Sequence, residues 1–289
     1  MKKRFLLLTF FSLFFIACSD DDDNNDMPQA ATFSVTDVSL DKGAIGTEVT
    51  ITGTGFPDSA QEIAVTFNDV EATISAITST SIVASVPQNA TTGNVVVTYR
   101  NETVSAGSFT VLVPLIEKKV ENVFAPQTGG QGTGQPVSGT FTKFDLETGE
   151  ITDSDTDWDI AFRGTTIAVN GGEVTGTTDE PERNGNAAAF IATGTFASVT
   201  TAEGLSFVQD SSTSFAIPTG SDNGWYNYNF MTNIISPIPG KILVFRTRNG
   251  NYAKIEVLSY YQNEDTSQPS RYYTFSYVYN PNAGETTLE

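Results

Sequence analysis

Ile242-Leu243-Val244-Phe245-Arg246-Thr247-Arg248-Asn249-Gly250-Asn251-Tyr252-Ala253-Lys254-Ile255-Glu256-Val257-Leu258 reads as two strands joined by a tight turn. An Asn-Gly pair between two strand-forming runs is the strongest short-range hairpin signal, and the expected turn is type I′, which needs positive φ at both central residues. Tyr273-Thr274-Phe275-Ser276-Tyr277-Val278-Tyr279 follows as a final strand with an aromatic face. No segment carries a convincing helical period, so the fold is expected to be all-β.

The N-terminal half carries the same signature in shorter pieces. From Phe33 to Val111, strand runs such as Glu48-Val49-Thr50-Ile51-Thr52-Gly53, Ile63-Ala64-Val65-Thr66-Phe67, Ser81-Ile82-Val83-Ala84-Ser85-Val86 and Val95-Val96-Val97-Thr98-Tyr99 alternate with turns. That pattern belongs to a β-sandwich of immunoglobulin-like size. Val113-Pro114 closes this unit, and a second, larger β domain begins near Leu115. Pro126 to Pro136, rich in glycine and glutamine, is expected to be a mobile loop.

Composition removes most site chemistries. The 289 residues contain no histidine and one cysteine, Cys18. Ser-His-Asp and Cys-His nucleophiles cannot be assembled, nor can zinc or copper sites made of His and Cys. No enzymatic activity is expected. The formal charge of −19 disfavours nucleic acid and anionic lipid as partners.

Cys18 follows Lys2-Lys3-Arg4 and an apolar run from Phe5 to Ala17, the parts of a secretory signal. Phe15-Ile16-Ala17-Cys18 resembles a bacterial lipoprotein box, which implies a signal peptide over 1–17 and lipidation of Cys18. The loss of the three cations Lys2, Lys3 and Arg4 with that peptide would take the charge to −22. Residues 18–32 read as a lipidated acidic tether, and Ser19-Asp20-Asp21-Asp22-Asp23 resembles a signal for export to the outer face of the cell. The expected location is the outer membrane, facing the exterior, with the lipid as the only membrane contact.

Two family resemblances divide the chain. Gly46-Thr47-Glu48-Val49-Thr50-Ile51-Thr52-Gly53-Thr54-Gly55-Phe56, then Val65 to Ala72, Val86-Pro87 and Ala90-Thr91-Thr92-Gly93, resemble the IPT/TIG immunoglobulin-like domain, placed over 33–112. The resemblance implies a structural glycine corner at Gly53 and Gly55, with Phe56 plugging the end of the sandwich. Trp158-Asp159-Ile160-Ala161-Phe162-Arg163, Ile167 to Gly172, Gly224-Trp225, the Arg246 to Lys254 hairpin and Phe275 to Tyr279 are similar to the HmuY-like haem-binding lipoproteins, placed over 115–282. Trp158 and Phe162 read as core aromatics there.

What the HmuY resemblance implies is capture of haem or a porphyrin on a β scaffold, with histidine or methionine axial ligands. This chain departs from that pattern, since outside Met1 and Met27 its sole methionine is Met231. Met231 falls a few residues after Gly224-Trp225, where the second ligand is expected. Tyr226 and Tyr228 are the phenol candidates, because tyrosinate is a known haem ligand. Trp225 is the candidate for stacking on a flat ligand. The alternative is a non-catalytic adhesion or carbohydrate-binding module whose partner is a glycan or surface protein. Asp153-Ser154-Asp155-Thr156-Asp157-Trp158-Asp159 spaces carboxylates as a calcium loop would, but it lacks the glycine and glutamate of an EF-type loop and reads as a solvated strand entry.

Overall fold

The computed structural model describes residues 33–130 and 132–289. Cys18, the signal over 1–17 and the tether over 18–32 lie outside the described residues. Among the described residues the helical elements are three short 3-10 turns, and no helix is long and apolar enough to cross a membrane.

The N-terminal unit is a two-sheet sandwich. One sheet orders Ser34–Val38, Glu48–Thr54, Ser81–Ser85 and Thr73–Thr78. The other orders Lys42–Ala44, Glu102–Leu112, Gly93–Tyr99, Ile63–Phe67 and Val70–Glu71. Alternation fixes which face turns inward: Val49, Ile51, Val65, Phe67, Val95 and Val97 are buried while their neighbours along the strands face outward. The two corner glycines serve different needs. Gly55 sits at φ +75, whereas a Cβ on Gly53 would stand 2.1 Å from the Ser34 carbonyl oxygen. Phe56 is buried in the sandwich core beside Phe33, ring centroids 5.8 Å apart.

The C-terminal unit packs a five-stranded sheet, ordered Ile116–Phe124, Ser270–Asn280, Tyr252–Tyr261, Lys241–Arg246 and Ala188–Thr193, against a four-stranded one. The latter is ordered Glu150–Thr152, Thr142–Asp145, Ile160–Arg163 and Thr166–Val169. Aromatic rings join the sheets: Phe162 meets Tyr273 at 4.7 Å and Phe144 meets Phe275 at 5.4 Å. The unbroken run Ile242 to Phe245 follows from burial on both faces of its strand. Leu243 and Phe245 enter this main core, while Ile242 and Val244 pack against Ala202 and Leu288 on the far side.

The hairpin at Asn249-Gly250 forms in the expected place with a different turn. Only Gly250 has positive φ, at +91. Gly250 N–H donates to the Thr247 carbonyl at 3.0 Å and Thr247 N–H to the Asn251 carbonyl at 2.8 Å, so the loop is the three-residue Arg248-Asn249-Gly250. That is a type I turn closed by a glycine bulge. The cause is tertiary. Arg248 N–H donates to Asp159 Oδ1 at 2.8 Å, and its guanidinium reaches Asp145 and Asp159 at 3.0 Å each.

The stretch expected to be a mobile loop is instead a small hairpin, Thr128–Gly130 paired with Gln135–Ser138. Glycines at positive φ, Gly129 and Gly130 among them, fold a segment that composition alone marks as irregular. The acidic stretch before Ile160 disperses its carboxylates. Asp155 pairs with Lys143 at 3.0 Å, Asp157 accepts from the Ser154 hydroxyl, and Asp159 is buried against Arg248. Trp158 and Phe162 are core residues, 0% and 1% exposed.

Candidate functional site

A cavity of about 490 Å3 opens beside the second small hairpin, Tyr226–Asn229 paired with Ile234–Pro237. Its approach is set by Gly224, where a Cβ would stand 2.2 Å from the Pro218 carbonyl oxygen. Residues two apart on a strand share a face, so Tyr226 and Tyr228 both line the cavity, joined by Tyr260 and Arg271 from the large sheet. Three anchors hold the hairpin: Tyr228 N–H to Ser221 Oγ at 2.8 Å, Ile235 N–H to the Tyr261 hydroxyl at 3.0 Å, and Ile238 N–H to the Trp225 carbonyl at 2.9 Å.

The tyrosines differ in what they offer. The Tyr226 hydroxyl accepts from Thr165 Oγ1 at 3.3 Å, and its residue is 8% exposed. Tyr228 is 42% exposed, and its hydroxyl donates to Asn233 Oδ1 at 2.7 Å. Burial pushes the Tyr260 phenol well above its ordinary value, with the Arg271 charge opposing, so Tyr260 stays a neutral wall. Tyr226 and Tyr228 are the two phenols that the small hairpin brings to the cavity.

Two of the sequence candidates are not on its surface. Trp225 is 2% exposed, with its indole N–H bonded to the Thr165 carbonyl at 3.0 Å and its ring 5.0 to 5.8 Å from Tyr226, Tyr260 and Tyr273. It backs the site and offers no face to a stacked ligand, because the indole's apolar bulk is better satisfied in the aromatic core. Met231 stands at the hairpin tip beside Phe230, the two 77% and 76% exposed, and is not among the residues lining the cavity. Sequence reasoning missed Tyr260, Arg271 and Gln127, which come from distant segments. No local pattern marks them.

Across the segment Pro218 to Ser221 lies a second cavity, of about 690 Å3, whose lining includes Thr175, Thr177, Gln209 and Phe215 and no charged side chain. Its walls are loops sewn together by a buried cluster in which Arg183 bonds Asp210 at 2.8 Å and also Glu180. Asp210 also takes the N–H groups of Val169 and Ala216, while Glu180 takes those of Thr175 and Thr177.

With this geometry in view, residues 34–111 match the family model of the IPT/TIG domain and residues 139–277 that of the HmuY protein. The chain is an IPT/TIG domain joined to a HmuY domain. The sheet of the HmuY domain extends beyond the matched residues, since Ile116–Phe124 pairs along Ser270–Asn280. Among solved structures the chain is similar to an apo HmuY analogue of Tannerella forsythia, at 14% identity over 59% of this chain and 99% of that one, TM-score 0.37. It is similar also to a Bacteroides fragilis chain assigned as a lipoprotein, at 17% identity over 59% and 96%, TM-score 0.36. A third likeness is to a Bacteroides vulgatus chain assigned as an HmuY-like heme-binding protein, at 13% identity over 58% and 93%, TM-score 0.35. No curated protein matches the chain.

Proposed function

We propose that this protein is a binding protein rather than a catalyst, and that its HmuY domain captures haem or a related porphyrin in the cavity walled by Tyr226, Tyr228 and Tyr260. The observation that carries this reading is the convergence of three phenol rings on one cavity of about 490 Å3, inside the usual ligand-pocket range of roughly 300 to 1,000 Å3. Aromatic walls fit a flat ring system. The donor set departs from histidine or methionine ligation, because the iron would meet phenol oxygen at Tyr226 or Tyr228. Bound haem would supply redox-active iron, and the protein's part is to hold it and screen it.

Titrating the purified protein with haemin is expected to give a shifted Soret band. Tyr228→Phe should weaken binding at least about tenfold, since it removes an oxygen donor to a charged centre. Met231→Ala should leave affinity unchanged. A spectrum no different from haemin with an unrelated protein would sink the reading.

The same proposal places the protein on the outer face of the outer membrane, tethered through Cys18. The support is the basic start, the apolar run and the acidic stretch after the cysteine. Radiolabelled palmitate should be incorporated in the native chain and absent from Cys18→Ser, and protease added to intact cells should degrade the native protein. Labelling that survives Cys18→Ser, or full protection from protease, would count against it.

A further inference from the structure

Arg271 stands in an unusual backbone state at this cavity. It lies within the strand Ser270–Asn280 yet has φ +74, in the left-handed region that long side chains avoid. The register explains how it is held there. Tyr261 pairs with Ser270 and Ser259 with Thr274, so two steps on one strand face four on the other and the extra residues bulge. The Ala125 N–H donates to the Arg271 carbonyl at 2.8 Å and the guanidinium donates to the Gln127 carbonyl, clamping the bulge from the neighbouring segment. Bulges re-aim side chains, and strained residues persist where the surroundings over-determine them.

The charge that this bulge delivers has no acidic partner. Among the described residues no carboxylate lines the cavity, Arg271 is its one cation, and Arg271 makes no salt bridge, in a chain of net charge −19. A guanidinium carries five N–H donors; the Gln127 carbonyl takes one nitrogen and the Tyr260 hydroxyl stands within hydrogen-bond reach of the group. The remainder match a carboxylate, whose two oxygens a guanidinium grips in parallel. Around it stand phenol rings rather than acids.

We propose that Arg271 reads an acid group on the ligand, so that the cavity selects a flat aromatic molecule bearing a carboxylate over its neutral counterpart. This deepens the porphyrin reading and rests on it. The acid and the ring are recognised by different parts of the site. Arg271 takes the carboxylate, while Tyr226 and Tyr228 take the ring, and neither contact needs the metal.

The test uses metal-free protoporphyrin IX and its dimethyl ester, titrated into the purified protein and followed by quenching of tryptophan fluorescence. The acid is expected to bind at least tenfold more tightly than the ester, and Arg271→Gln should bring the acid-to-ester ratio to about one. Ester binding that persists in the variant also shows that it folds. If the variant does not fold, the acid-to-ester ratio in the native protein decides alone. Equal affinity for acid and ester, or an Arg271→Gln variant that still prefers the acid, would overturn the inference and leave the porphyrin site standing. Failure of both compounds to bind would overturn the porphyrin reading and this one with it.

Discussion

Replacing Arg248 by alanine is expected to destabilise the HmuY domain by about 3 to 5 kcal/mol, the cost of stranding a buried charge by removing its partner. Arg248 lies at the turn between two central strands, its side chain 11% exposed, and it faces Asp145 and Asp159, whose side chains are 9% and 1% exposed. Burial pushes the Asp159 carboxyl above its ordinary value. The N–H and charge of Arg248 and the Leu146 N–H oppose that rise. Without the guanidinium, backbone donors still bond Asp159, but no cation offsets two acids in one network. Arg248→Lys should recover only part of the loss, because one ammonium cannot reproduce the paired contacts to both oxygens of Asp145, at 3.0 and 3.3 Å. Both tryptophans of the chain, Trp158 and Trp225, lie in this domain, so urea unfolding followed by tryptophan fluorescence reports it selectively. A loss below about 1 kcal/mol, the ceiling for an exposed pair, would show that the network behaves as a surface ion pair.

Trp225→Ala should cost a similar amount, about 3 to 5 kcal/mol, through the lost transfer energy and the void left among Tyr226, Tyr260 and Tyr273. Its second consequence is functional. Trp225 bonds the Thr165 carbonyl and packs on Tyr226 and Tyr260, and all three of those residues line the cavity. Alanine here is expected to abolish tight porphyrin binding although the residue is 2% exposed, since the walls lose the support that holds their rings. Trp225→Phe should restore most of the stability and part of the binding. The fluorescence of Trp158 serves for both variants. Porphyrin affinity that survives Trp225→Ala would show that the walls hold their shape without it.

Much of the fold is legible along the chain because strand periodicity is local. The alternation around Val49 and Ile51 sets the inward face of the sandwich, and the runs flanking Asn249-Gly250 set the hairpin. The turn type was not legible, because Arg248 is drawn to carboxylates about ninety and one hundred residues away, Asp159 and Asp145. Pro126 to Pro136 misleads for a related reason, since glycine-rich composition describes freedom in the unfolded chain and not what positive-φ residues do when a neighbouring segment meets them.

The candidate site divides the same way. Tyr226 and Tyr228 stand two apart on a strand, so their shared face could be read from spacing. Trp225, beside them, is buried behind the site against Tyr226, Tyr260 and Tyr273, and Met231 is carried to the exposed tip. By itself the sequence determined an all-β chain of two domains, the absence of histidine and thiol chemistry beyond Cys18, and a pair of tyrosines on one face. Only the tertiary structure decided that Tyr260 and Arg271 join that pair, and that no carboxylate among the described residues does. The physical reason is that alternation and turn preference act between neighbours in the chain, whereas a cavity is made where sheet register and a bulge bring distant side chains to one place.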